Sequence, residues 1–170
     1  MQAPTHILTG VAIQKAFERV KNRPLALLCI AVLAFLSHGL LDKLAIMTYH
    51  KPNADWNSVI WVGYHFGFLL PVTIYFFYKF WRKYKFGIMF AILPDFDWVF
   101  IHGQKIIGIN IPFYKKPHIH NLLHSIFDTL FPFLNNLPDF RFNPWTALFE
   151  IVAVTFFFIL LTRKGVLKRN

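Results

Sequence analysis

Four stretches of this chain are apolar for long enough to cross a bilayer. A chain built this way needs a lipid host, because a soluble core of its length does not require several near-continuous runs of spanning length. The first run, 24–47, opens with Pro24, suited to a first helical turn, and ends near Lys43 and the polar stretch 49–57. The second, 57–80, carries Pro71, where a kink is expected, and closes on Lys79, Arg82, Lys83 and Lys85 with Trp81 and Tyr84 as interfacial aromatics. The third, 86–101, is interrupted by Pro94-Asp95-Phe96-Asp97. The fourth, 145–162, is apolar except for Glu150 and a few hydroxyls and runs into Arg163-Lys164.

Two further segments are helical in pattern but ambiguous in placement. Residues 4–20 place Ile7, Leu8, Val11, Ala12, Ala16 and Phe17 at helical spacing yet carry Gln14, Lys15, Glu18 and Arg19, so they are expected on the surface or partway into the membrane. Residues 118–134 hold His120, His124 and Asp128 between Pro117 and Pro132 and are short for a full span, which reads as an interfacial or re-entrant helix. The expected fold is an all-α integral membrane protein of four to five membrane helices plus that short helix, in a single domain, 1–170. Residues 1–10 lack the basic start and long apolar core of a secretory signal, so the N-terminus is expected to be mature.

Composition agrees with this host. Of the 170 residues 56% are hydrophobic and 15% are charged, against about 25% charged in an average soluble domain. The formal charge of +10 comes from basic residues clustered at the ends of apolar runs: Lys15, Arg19, Lys21 and Arg23, then Lys79 to Lys85, then Arg163, Lys164, Lys168 and Arg169. Such clusters are cytoplasmic anchors rather than a nucleic-acid surface, and no nucleic-acid partner is expected. Placing them inside puts Asp55, Gly103, Tyr114 and His6 on the outer side. Cys29 is the only cysteine, so any metal site must be built from imidazole and carboxylate.

Ionisable residues in spans are costly and mark functional sites. His38 and Asp42 share one helix face at i, i+4; Asp95 and Asp97 flank the Pro94 break; His120 and His124 form a second i, i+4 pair. All three pairs fall within about two helical turns of the expected outer boundary. His38, Asp42, Asp95, Asp97 and His124 are the expected metal ligands, with His6 and His120 as further ligands or as residues that orient them and move protons. His65 lies deeper and is an eighth candidate, whereas His50, His102 and His118 are expected to be solvated.

The stretches Thr5-His6-Ile7-Leu8-Thr9-Gly10, Ser37-His38 with Asp42, Leu93-Pro94-Asp95-Phe96-Asp97 and His120-Asn121-Leu122-Leu123-His124-Ser125 resemble the motif set of the bacterial membrane-bound metal-dependent hydrolases, the family that includes a LexA-regulated inner-membrane protein. The His-x3-Asp element is also similar to a zinc-ligand pair of zinc-dependent phospholipases C and P1-type nucleases. The pattern differs in two ways: Ser-His-x3-Asp stands second rather than last, and the last motif is one residue shorter and lacks an Arg. A phosphate clamp would then fall to Lys43, Lys105, Lys115 or Lys116. The resemblance implies one or two divalent ions, zinc first and manganese second, activating water against a phosphoester. The implied substrate is a membrane lipid or lipid-linked phosphate at the outer face of a bacterial inner membrane. A non-catalytic metal-binding or transporting membrane protein is the alternative.

Overall fold

The first helix, α1 (Ala3–Ala16), takes Pro4 into its first turn and buries Thr5, His6, Ile7, Leu8, Gly10 and Val11. The computed structural model describes residues 2–51, 53–112 and 115–163; Tyr114, Lys164, Lys168 and Arg169 lie outside them, and nothing is described for the Lys105 side chain. After a short connection, Asn22 caps α2 (Arg23–Leu44) by accepting the Leu25 N–H at 3.2 Å. A connection this short makes the two helices antiparallel neighbours. Thus the start of α1 and the end of α2 lie at one end of the bundle.

Ser58 caps the next helix, α3 (Val59–Val62), which continues through a π-helical stretch, Gly63–Leu69, into α4 (Leu70–Ile92). Pro71 has no N–H and its ring crowds the carbonyl four residues back, and a widened turn just before it accommodates both. The non-helical residue is therefore not near Pro71 but at Tyr84 (φ −118°, ψ 23°). There the Gln14 side chain of α1 stands in the helical ladder: its Oε1 accepts the Gly87 N–H at 2.7 Å and its Nε2 donates to the Lys83 carbonyl at 3.1 Å. These are the two backbone groups that an unbroken helix would pair with each other, so an inserted side chain explains the break and satisfies it.

Neighbours along the chain give the direction of each arm. α7 (Ala147–Thr162) runs alongside α1, with Thr5 bonded to Glu150 at one end and Lys15 to the Leu161 carbonyl at the other. The first arm of α3–α4 follows α7, from Trp61 and Tyr64 in the cluster holding Ala147 to Phe76 stacked on Phe158. From Lys83 to Ala91 the second arm returns along α1, meeting Gln14 and then Gly10. Gly10 and Gly87 face each other without side chains, so closely that a Cβ on either would strike the other's backbone. A turn, Leu93–Asp95, then leads into α5 (Phe96–Ile107).

α6 (His118–Leu130) lies across the end of α2. Gly39 leaves the room that Leu123 and Phe127 occupy.

The fold is all-helical among the described residues, and three helices are long and apolar enough to cross a membrane: Arg23–Met47, Val59–Gln104 and Pro144–Thr162. The stretches 57–80 and 86–101, expected as separate spans, form one helical stretch broken at Tyr84. Residues 4–20, expected at the surface or partway in, supply a central helix that packs on α2, α4 and α7. The short helix at 118–130 is not among the three candidates. Outward-facing Leu25, Leu28, Val32, Ile74, Val152 and Phe156 give the bundle an apolar exterior.

Candidate metal centre

Four elements deliver imidazoles and carboxylates to one point. His6 comes from the first turns of α1, His38 and Asp42 from the last turns of α2, Asp95 from the turn that Pro94 imposes, and His120 from the first turn of α6. His6, His38 and Asp42 form one group able to hold a metal ion, and His38, Asp95 and His120 form another. Both groups share His38.

The side groups behind two of the rings fix what those rings present. His38 Nδ1 lies 2.7 Å from the Ala91 carbonyl, which can only accept, so Nδ1 carries the proton and Nε2 of the neutral ring presents a lone pair. His120 Nδ1 lies 3.3 Å from Asp97 Oδ2, with the same consequence. The Trp98 indole N–H, a donor only, approaches His120 Nε2 at 3.1 Å and agrees with that tautomer; for Nε2 to hold a metal the indole must give up this contact.

These lone pairs then meet. His38 Nε2 and His120 Nε2 are 3.3 Å apart and lie 3.2 and 3.4 Å from Asp42 Oδ2. Zinc bonds of about 2.0–2.1 Å in a tetrahedron place neighbouring donors about 3.3 Å apart, so the triangle has the edge length of such a site. Asp95 Oδ1, at 3.7 and 3.9 Å from the two nitrogens, stands near the fourth corner, somewhat wide of it. Its side chain is 42% exposed where those of His38 and His6 are at 0% and 2%, so the centre opens on the Asp95 side. The other Asp42 oxygen faces His6 Nε2 at 3.3 Å, and the His6 ring stacks on His38. Lone pairs packed this closely require positive charge among them, either a metal ion or protons on the imidazoles.

Two of the five expected ligands stand back from this point. Asp97 Oδ2 accepts the backbone N–H of Ile119 at 2.6 Å and of His120 at 3.0 Å, which caps α6, and also faces the His120 ring. Pro117, at the N-cap of α6, gives no side-chain cap, and a carboxylate suits the positive end of the helix. Asp97 therefore holds His120 in place and stands back from the cluster of donors, as the carboxylate does in carboxylate–histidine pairs behind metal sites. His124 lies one turn beyond His120, outside both groups, with its Nε2 buried and without a hydrogen-bond partner. Burial first, and then the Lys43 ammonium, keep its pKa below the ordinary imidazole value. Lys43 itself is engaged by Asp128 and by Asn135 Oδ1 at 3.1 Å, and this pairing lowers the Asp128 pKa.

The remaining imidazoles are elsewhere. His65 Nδ1 donates to the Trp61 carbonyl at 2.8 Å and its ring stacks on Trp61, a packing role. His50, expected to be solvated, is half-buried, bonded to Gln2, and lowered by burial to about 4. His102 and His118 are exposed, as expected. The sequence offers no signal for Trp98 or the Ala91 carbonyl, because both depend on which helices become neighbours.

No protein-family model matches the chain, and no curated protein and no solved structure matches it. The two groups, whose donor atoms are all nitrogen and oxygen, could bind a metal ion.

Proposed function

We propose that this chain is a membrane-embedded metal-dependent hydrolase whose centre acts on phosphoesters of a lipid or lipid-linked substrate. The supporting observation is the triangle of His38, His120 and Asp42 donors at metal-site spacing with an exposed carboxylate beside it. A divalent ion held there, zinc by preference, supplies Lewis acidity and a water acidified toward neutral pH. Of the chain's own groups, Asp97 and the Ala91 carbonyl would orient the imidazoles, and His124, one turn from His120 with its Nε2 without a hydrogen-bond partner, is the residue we assign to proton transfer. The choice of hydrolysis and of phosphoesters comes from the resemblance in motifs.

Metal analysis of purified protein, chelation and a screen of lipid phosphates test the proposal together. We expect a bound divalent ion, hydrolysis of at least one lipid phosphoester, loss of turnover in chelator, and recovery on adding zinc or manganese. Bound metal without any phosphoester turnover would favour the carrier reading, and absence of metal would overturn both.

The same proposal carries an orientation. Glu18 pairs with Lys83 at 2.9 Å and Lys15 reaches Leu161, so the first two basic clusters gather at the end of the bundle opposite the centre. If that end is cytoplasmic, then α1, α2, the two arms meeting at Tyr84, and α7 make four to five membrane helices, with the centre at the outer leaflet of an inner membrane. In a Cys29→Ala background, a cysteine at position 55 is expected to label from outside; labelling from the cytoplasm alone would reverse the orientation.

A further inference from the structure

We infer that Glu150, on the last helix, is a positioning residue for the metal centre: it holds the first turn of α1 and through that turn sets His6. This inference rests on the metal-centre reading. Glu150 is 0% exposed in the first turn of an otherwise apolar helix, and a buried ionisable group there is costly and is a functional candidate with a partner to be named.

Its partners are both at the start of α1. Glu150 Oε1 accepts the Gln2 backbone N–H at 2.8 Å and the Thr5 hydroxyl at 2.6 Å. The first turn of a helix has N–H groups without intrahelical acceptors and carries partial positive charge, so a carboxylate satisfies it on both counts. Gln2, the N-cap of α1, gives no side-chain cap; its amide donates instead to His50 Nδ1 at 2.6 Å. His50 is itself tied down by its backbone N–H to the Arg141 carbonyl at 3.2 Å. The entry of α1 is thereby gripped from two sides.

His6 is the next residue after Thr5, and its ring sits 4.0 Å from the His38 ring, centroid to centroid. A shift of Thr5 must move it. The second Glu150 oxygen is buried and without a hydrogen-bond partner, as is the Tyr64 hydroxyl in the cluster that packs Ala147 and Ile151 on either side of Glu150. Among the described residues, the side-chain hydrogen bonds of Glu150 therefore go to the start of the helix that carries His6.

Cobalt(II), bound to the purified full-length protein, reports ligand geometry through its visible absorption and gives an affinity. Glu150→Gln keeps an acceptor oxygen for both bonds and is expected to keep the wild-type spectrum. Glu150→Leu and Thr5→Val are expected to alter the bands and weaken cobalt binding by about 10–100-fold, the range found when a ligand's support is lost. His6→Ala should give the same spectrum as these two. Because Glu150 acts through His6, the double variant Glu150→Leu/His6→Ala should bind no more weakly than His6→Ala alone. Thr5→Val nearly preserves side-chain shape and carries the test if Glu150→Leu does not fold. Unchanged binding in folded Glu150→Leu or Thr5→Val, or additive losses in the double variant, overturns this inference and leaves the centre standing. A wild-type protein that binds no cobalt overturns the centre, and the inference with it.

Discussion

Replacing His38 with alanine or glutamine is expected to remove the metal altogether, because His38 alone belongs to both groups of donors and its Nε2 is a corner of the tightest triangle. Direct metal analysis of folded, size-purified protein should fall from stoichiometric to none, with turnover lost in parallel. Glutamine keeps most of the volume of the buried ring, so an empty centre in that variant separates lost ligation from lost packing. Asp97→Asn is the instructive contrast. An amide oxygen still accepts the N–H groups that start α6 but loses the charge that steadies His120, so metal should still load at saturation, with affinity lower by about 10–100-fold. If Asp97→Asn empties the site as completely as His38→Gln, then Asp97 is itself a ligand and the arrangement around His120 is misjudged. Full metal content in His38→Gln would sink the centre as described.

The contrast between these two residues shows what a sequence conveys about such a site. The pairing of His38 with Asp42 is legible because helical periodicity alone puts them on one face, and the Pro94 break is legible because proline cannot continue the ladder. Which carboxylate faces the donor cluster is not legible. Asp95 and Asp97 differ by two positions, and only the packing of α6 decides that one meets the donors while the other caps a helix. The same packing brings His120 rather than His124 to the centre: Gly39 admits Leu123 and Phe127, and the first turn of α6 then lies over His38.

The placement of α1 was hidden for a related reason. Gln14, Lys15 and Glu18 read as a solvated face, yet Gln14 satisfies a broken helix, Lys15 meets a carbonyl at the end of α7, and Glu18 pairs with Lys83. In a bilayer a polar side chain that meets the backbone of a neighbouring helix is glue, and sequence patterning does not distinguish glue from exposure.

That packing supports the second large effect. Gly10→Val is expected to separate α1 from α4 and to cost the protein both its stability and its metal. A Cβ at position 10 would stand 2.5 Å from the Gly87 carbonyl oxygen, 2.8 Å from the Gly87 carbonyl carbon and 2.9 Å from Ala91 Cβ. The first two obstacles are backbone, which cannot rotate aside, so the helices themselves must move apart. Overpacking typically costs about 1–3 kcal/mol, and a clash against main chain belongs at or beyond the upper end of that range. The movement also has a direction. Ala91, one of the three contacts, carries the carbonyl that fixes the His38 tautomer, and Gln14, one turn below Gly10, bridges the break at Tyr84. Prising the helices apart at Gly10 therefore loosens His38 on one side and the helix break on the other, while His6 leaves with α1. Thermal unfolding in detergent should show a clear fall in midpoint, and whatever folded protein remains should bind metal weakly. Gly103→Ala is the control, since a Cβ at that position meets nothing within 4 Å. Equal stability of the two variants would mean that α1 and α4 do not touch at this pair, and the route by which His6 reaches the centre would have to be redrawn.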